Sequence, residues 1–101
     1  MNADSLFEKR KRAAQLLRGV LAGDITPEHA RNTWPDTVGD ASLESAFHAL
    51  FHFEDDADVR DRDKKYADWQ AAQLNEMADA LSSGMALGED QNEWLTPRPK
   101  R

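Results

Sequence analysis

The sequence predicts an all-α protein: a compact bundle of three to four helices with a disordered basic C-terminal tail. Apolar residues recur every three or four positions in three long segments, which is the spacing of one helix face. Residues that begin and end helices flank these segments, and no stretch alternates between apolar and polar residues as a half-buried strand does. With 101 residues, 40% of them hydrophobic, the chain can form one small core. We therefore expect a single helical domain over residues 1–88 and a flexible tail over residues 89–101.

The first two helices are predicted from the residues at their ends. The first helix covers about residues 5–22, and Asp4 or Ser5 can cap it. Gly23 follows in the position where a left-handed residue ends a helix. Thr26 and Pro27 then form the pair that typically opens a helix, as its N-cap and first residue. This second helix must be short, because the residue before Pro35 avoids the helical conformation.

Two further helices are predicted on either side of an acidic segment. The third helix covers about residues 43–53, after a capping Asp40 or Ser42. The fourth covers about residues 64–81, capped by Asp61 or Asp63. Residues 54–63, which hold six acids and two arginines, are predicted as a loop or a helix boundary.

Charge is unevenly distributed along the chain. The net charge is −6, but residues 19–97 hold 17 acidic and 5 basic residues, a net charge of −12, between two basic ends. An acidic body repels nucleic acid and attracts basic partners. We therefore expect a basic protein partner and no direct contact with nucleic acid, although the same charge also favours simple solubility.

Composition and motifs exclude several classes of function. The chain has no cysteine, which excludes disulfides, thiolate metal sites and cysteine nucleophiles. Since it has no Gly-rich phosphate loop and no serine nucleophile paired with a base, we expect neither an enzyme nor a cofactor. Apolar runs are too short to cross a membrane. Charges directly after the apolar pair at residues 6–7 argue against a signal peptide, so we expect a cytoplasmic protein.

The densest group of charges is the segment EDDADVRDRD at residues 54–63. We interpret it as a contact surface for the lysines and arginines of a partner. The alternative is that its carboxylates cap helices and lie on a solvated surface. The predicted partner-binding residues are Glu54, Asp55, Asp56, Asp58, Asp61 and Asp63.

His48 and His52 are four residues apart, so they share one face of the third helix. Two histidines at this spacing can hold a divalent metal, with Glu44 or Asp55 as oxygen ligands and His29 as a third imidazole. The general base of a zinc protease is missing, because Ala49 follows His48. The alternative is that both histidines are ordinary polar residues at the surface or at the edge of the core.

Two other features have less specific interpretations. Trp34 and Trp94 would support self-association if they were exposed, so we expect a monomer or a weak homodimer.

The basic run KRKR at residues 9–12 points all around a helix, and we interpret it as a solvated face with local ion pairs.

Two segments resemble the small bacterial immunity proteins of the colicin D immunity type. Residues 16–28, LLRGVLAGDITPE, are similar to that family's opening: a first helix, a short polar turn and a short acidic helix. Residues 46–60 resemble its middle helix and acidic exit, through Phe53, Asp56, Asp58 and Arg60. Together the two segments cover under a third of the chain. The resemblance implies a compact helical inhibitor whose carboxylates cover the basic nuclease site of a toxin, with residues 54–63 as the contact edge.

Overall fold

The computed structural model describes residues 5–83, and in that part the chain contains five α-helices and no strand. The helices are α1 (Leu6–Ala22), α2 (Pro27–Asn32), α3 (Ala41–Asp55), α4 (Ala57–Arg62) and α5 (Lys64–Ser82). The all-α prediction is confirmed. The predicted disordered tail at residues 89–101 lies outside the described residues, as does Trp94.

Four of the five helices begin with a side chain that accepts a backbone N–H in the first turn. Such caps satisfy donors that have no partner within the helix. The four pairs are Ser5 with Glu8, Thr26 with His29, Asp40 with Ser42, and Asp63 with Tyr66. Gly23 ends α1 at a φ of 81°, and its N–H donates to the last turn of that helix. The starts and ends predicted from local residues are therefore close to those observed.

The acidic segment 54–63 is mostly helical, so the prediction of a loop was wrong, although the prediction of helix boundaries was right. α3 continues through Asp55, and α4 follows after the single linking residue Asp56. Asp58 lies in the first turn of α4 and two arginines lie in its last turn. This order of charges matches the helix dipole, which stabilises acids at the N-terminus and bases at the C-terminus.

The core lies where α1 and α5 pack along each other, with α2 and α3 covering one side. Ala13, Ala14 and Ala78 are completely buried, and such small residues let helices approach closely. The larger buried residues are Leu17, Leu43, Leu50, Tyr66, Leu74, Met77 and Leu81. No residue of α4 belongs to this core, so the core holds α3 and α5, the two helices on either side of α4.

Trp34 does not have the exposed position on which the self-association hypothesis depended. Its ring is partly buried against the core and 6.0 Å from the ring of Phe47. Its indole N–H donates to the carbonyl of Leu43 at 3.2 Å. The ring therefore joins the segment after α2 to the start of α3.

Arg10 likewise differs from the solvated residue that the basic run predicted. Its guanidinium donates two hydrogen bonds, of 3.0 and 3.1 Å, to the carboxylate of Asp40, which lies 30 residues away. Burial of the Asp40 carboxylate raises its pKa. The hydrogen bond and the positive charge of Arg10, together with backbone N–H groups at the start of α3, lower the pKa by more. The net effect is a lowered pKa for Asp40. The pair joins α1 to α3.

Candidate protein-binding surface

The six predicted partner-binding carboxylates lie at one edge of the structure, from the last turn of α3 to the start of α5. We call this set the acidic edge: Glu54, Asp55, Asp56, Asp58, Asp61 and Asp63. Its members do not share one environment. Three of them are engaged by other parts of the fold, and three are exposed on its surface.

The three engaged carboxylates hold the edge in place. Glu54 accepts two hydrogen bonds, of 2.5 and 3.2 Å, from the guanidinium of Arg31 on α2. Asp56 accepts from the hydroxyl of Tyr66 at 2.5 Å. Asp63 caps α5. These residues therefore fit the alternative interpretation, in which acids serve as caps and structural partners.

The three exposed carboxylates are Asp55, Asp58 and Asp61. Asp58 lies 3.7 Å from Arg62, and their side chains are 74% and 68% exposed, so this ion pair contributes little to stability. Among residues 5–83, the structure shows no hydrogen bond or ion pair to the side chains of Asp55 and Asp61. The exposed carboxylates are thus available to a partner without disrupting the fold.

Arg60 belongs to the acidic segment in sequence, but its guanidinium points into the protein. It donates to the carbonyl of Phe53 and, at 2.8 Å, to the side-chain oxygen of Gln70, which is only 2% exposed. The guanidinium also stacks on the Phe53 ring, 3.6 Å from the centroid. Burial lowers the pKa of Arg60, and the negative charges of Asp56 and Asp61 oppose that shift. The exposed charged side chains of the segment are therefore three carboxylates and one arginine, Arg62.

A shallow depression adjoins the acidic edge between α2 and α3. Its volume is about 270 Å³, and it is lined by Arg31, Phe51, Glu54 and Asp55. The Phe51 side chain is 47% exposed there, beside a guanidinium whose hydrogen bonds to Glu54 raise the pKa of Arg31. Sequence reasoning missed this aromatic residue as part of the surface. The helical spacing could have indicated its exposure, because Phe51 lies beside, and not within, the row of Leu43, Ala46 and Leu50 that faces the core.

His48 and His52 are both exposed on α3, and His29 is exposed on α2. Within the described part of the chain, the structure brings no three histidine, aspartate or glutamate side chains together in a group that could hold a metal ion. The two histidines lie next to aromatic rings of their own helix, Phe47 and Phe51. Metal binding by this pair stays a prediction.

The comparisons with known proteins found no match: no protein-family model, curated protein or solved structure is similar to this chain. They therefore do not test the resemblance to the colicin D immunity proteins. Among the helices of residues 5–83, none combines the length and the apolar character needed to cross a membrane.

Proposed function

We propose that this chain is a non-enzymatic acidic helical protein that binds a basic protein partner through its acidic edge. The observation that carries the proposal is the outward position of Asp55, Asp58 and Asp61, next to an arginine that the fold turns inward. These exposed carboxylates form a region of negative potential that attracts basic surfaces.

The way in which the edge is held supports a binding role. The exposed carboxylates extend from helices, and the engaged carboxylates tie those helices to α2 and α5. A surface that is already ordered loses less conformational entropy when a partner binds. The same charges accelerate association at low salt, while the few pairs that become desolvated in the complex determine its lifetime.

We further propose that the partner is a nuclease toxin, that the protein inhibits it as an immunity protein, and that it acts in the cytoplasm without binding nucleic acid itself. The support is the resemblance of residues 16–28 and 46–60 to immunity proteins of the colicin D type. A nuclease that binds nucleic acid through basic residues presents a surface of the opposite sign to the acidic edge. Carboxylates placed on that surface would exclude the phosphates of the substrate.

The test is affinity capture from a lysate of the source organism with three immobilised proteins. They are the wild type, an edge variant with Asp55→Asn, Asp58→Asn and Asp61→Asn, and a control variant with Asp24→Asn, Glu44→Gln and Glu76→Gln. Both variants have a net charge of −3 in place of −6. The control positions are also exposed but lie outside the acidic edge.

We expect the wild type and the control variant to retain the same basic protein and the edge variant to lose it. If that protein is a nuclease, one equivalent of wild-type protein should suppress its cleavage of nucleic acid. Equal retention by the edge variant would show that the acidic edge is not the binding surface. Capture of no basic protein by the wild type would overturn the proposed function.

A further inference from the structure

The depression beside the acidic edge combines an exposed aromatic ring with an exposed carboxylate. The Phe51 side chain is 47% exposed, and Asp55 lies one helical turn further along α3. The volume of about 270 Å³ is slightly below the roughly 300–1,000 Å³ of typical small-molecule sites. A depression of this size has room for one inserted side chain.

Its charges show which kind of side chain would fit. Arg31 and Glu54 form a two-bond ion pair and neutralise each other. Asp55 then leaves the lining with a net charge of −1. An inserted cation would neutralise that charge, whereas an inserted carboxylate would be repelled.

The chain itself shows how a guanidinium is accommodated here. The guanidinium carbon of Arg31 is 5.8 Å from the centroid of the Phe51 ring while its nitrogens donate to Glu54. An aromatic face attracts a cation, and a carboxylate accepts two parallel N–H bonds from a guanidinium. Phe51 and Asp55, both exposed and one helical turn apart, offer a second guanidinium the same two kinds of group, a ring and a carboxylate.

We infer that the depression receives an arginine side chain of the basic partner. The inserted guanidinium stacks on Phe51 and donates two N–H bonds to Asp55. Arginine fits better than lysine, because its guanidinium is planar and weakly hydrated. It can stack on an aromatic ring and donate two parallel N–H bonds to one carboxylate, which an ammonium group cannot. This inference rests on the proposed function and names one contact within it. A buried arginine anchor of this kind commonly carries a large share of the binding free energy.

The experiment is a nuclear magnetic resonance titration of the whole isotope-labelled chain with two probes. The probes are the blocked tripeptides acetyl-Gly-Arg-Gly-amide and acetyl-Gly-Lys-Gly-amide. The variants are Phe51→Leu, Asp55→Asn and the control Phe7→Leu, which replaces another phenylalanine of similar exposure, 48%. Circular dichroism spectra and melting temperatures establish that each variant is folded.

We expect the arginine peptide to shift the Phe51 ring and Asp55 amide resonances more than the lysine peptide does. Phe51→Leu should weaken arginine binding about two- to fivefold, the usual effect of losing an exposed cation–π contact. Asp55→Asn should weaken it as well, and Phe7→Leu should leave it unchanged. Shifts of equal size with both peptides, or no shift at Phe51, would overturn the inference.

Affinity capture separates failure of this inference from failure of the proposed function. If the partner is lost by the edge variant but bound by Phe51→Leu with wild-type affinity, the acidic edge binds the partner and the arginine contact is wrong. If the wild type captures no basic protein, the proposed function itself is wrong. Weaker binding of the partner by both Phe51→Leu and Asp55→Asn, but not by Phe7→Leu, would support both.

Discussion

At the residue scale, the carboxylate of Asp40 has two structural roles. It caps α3 by accepting the N–H of Ser42, and it accepts two hydrogen bonds from Arg10 of α1. The Asp40 and Arg10 side chains are only 5% and 16% exposed. Removing one charge from a buried pair is costly, because the other charge stays away from water with fewer partners.

We predict that Asp40→Asn lowers the free energy of unfolding by about 2 kcal/mol near neutral pH, the range of a hydrogen bond to a charged group. The effect should depend on pH, because folding lowers the pKa of Asp40. The carboxylate therefore stabilises the fold above the unfolded-state pKa of about 3.9, and this contribution is lost as the pH falls through the lower folded-state pKa. The difference between wild type and variant should then shrink.

Urea unfolding at a series of pH values from neutral to acid measures this effect. Asp36→Asn is the matched control: Asp36 is exposed, and its side-chain oxygen accepts the N–H of Val38 at 3.0 Å, a bond that asparagine can also accept. The control should change stability by less than about 0.5 kcal/mol. A destabilisation by Asp40→Asn that is the same at every pH would contradict the role of the charge.

At the scale of the element, α4 depends on polar contacts for its position. This six-residue helix has no buried residue, and a helix of that length is not stable alone in water. Arg60 connects it to the end of α3 through the Phe53 carbonyl and to α5 through Gln70. Asp56, at its start, accepts from Tyr66 of α5. The exposed carboxylates of α4 are thus positioned by a partly buried arginine.

We predict that Arg60→Leu loosens α4 without unfolding the bundle. Losing the guanidinium should lower the free energy of local opening by about 2 kcal/mol, so amide exchange in α4 should be roughly 30-fold faster. Exchange of the α1 amides should stay unchanged. Arg62→Leu is the matched control on the same helix, because the Arg62 side chain is 68% exposed. Equal acceleration in both variants, or none in Arg60→Leu, would contradict this account of α4.

Local signals in the sequence predicted most of the helix boundaries. Capping by Ser5 and Thr26 and the glycine after α1 depend on residues at most four positions apart, so a single sequence contains them. The same kind of signal was available for α4, in the acid of its first turn and the arginines of its last. The high charge of the segment instead favours a loop or a helix boundary, although charged residues can form a helix when their order matches the dipole.

The contacts that shape the candidate site could not be predicted in this way. The Arg31–Glu54 pair joins residues 23 positions apart, and the contacts of Arg60 depend on how α3 and α5 pack. Composition indicated an acidic surface, but it could not separate the engaged carboxylates from the exposed ones. That distinction depends on tertiary structure, and it reduces six predicted contact residues to three exposed ones.

At the scale of the whole molecule, the acidic edge belongs to a sequence that is acidic over residues 19–97 and basic at its two ends. Exposed charges at such a surface raise the association rate, and dissolved salt screens them within a Debye length of about 8 Å at physiological ionic strength. The electrostatic contribution of the edge should therefore appear as a decrease of the association rate with increasing salt concentration.

We predict that association of the wild-type protein with its basic partner slows at least about tenfold between low and moderate salt. The edge variant, with Asp55, Asp58 and Asp61 changed to asparagine, should show a clearly flatter dependence. Stopped-flow or surface-based kinetics with the captured partner measure this. Salt dependences of equal slope for the wild type and the edge variant would place the attraction elsewhere on the molecule.

The most direct test of the central claim is the dissociation constant of the captured basic partner, measured side by side for the edge and control variants. Both variants carry the same net charge. A difference between their dissociation constants therefore depends on where the removed carboxylates lie, and not on the overall charge. If the acidic edge is the binding surface, the edge variant should bind at least about tenfold more weakly than the wild type, a loss of about 1.4 kcal/mol, and the control variant within about twofold of it. Equal affinity of the two variants would contradict the claim.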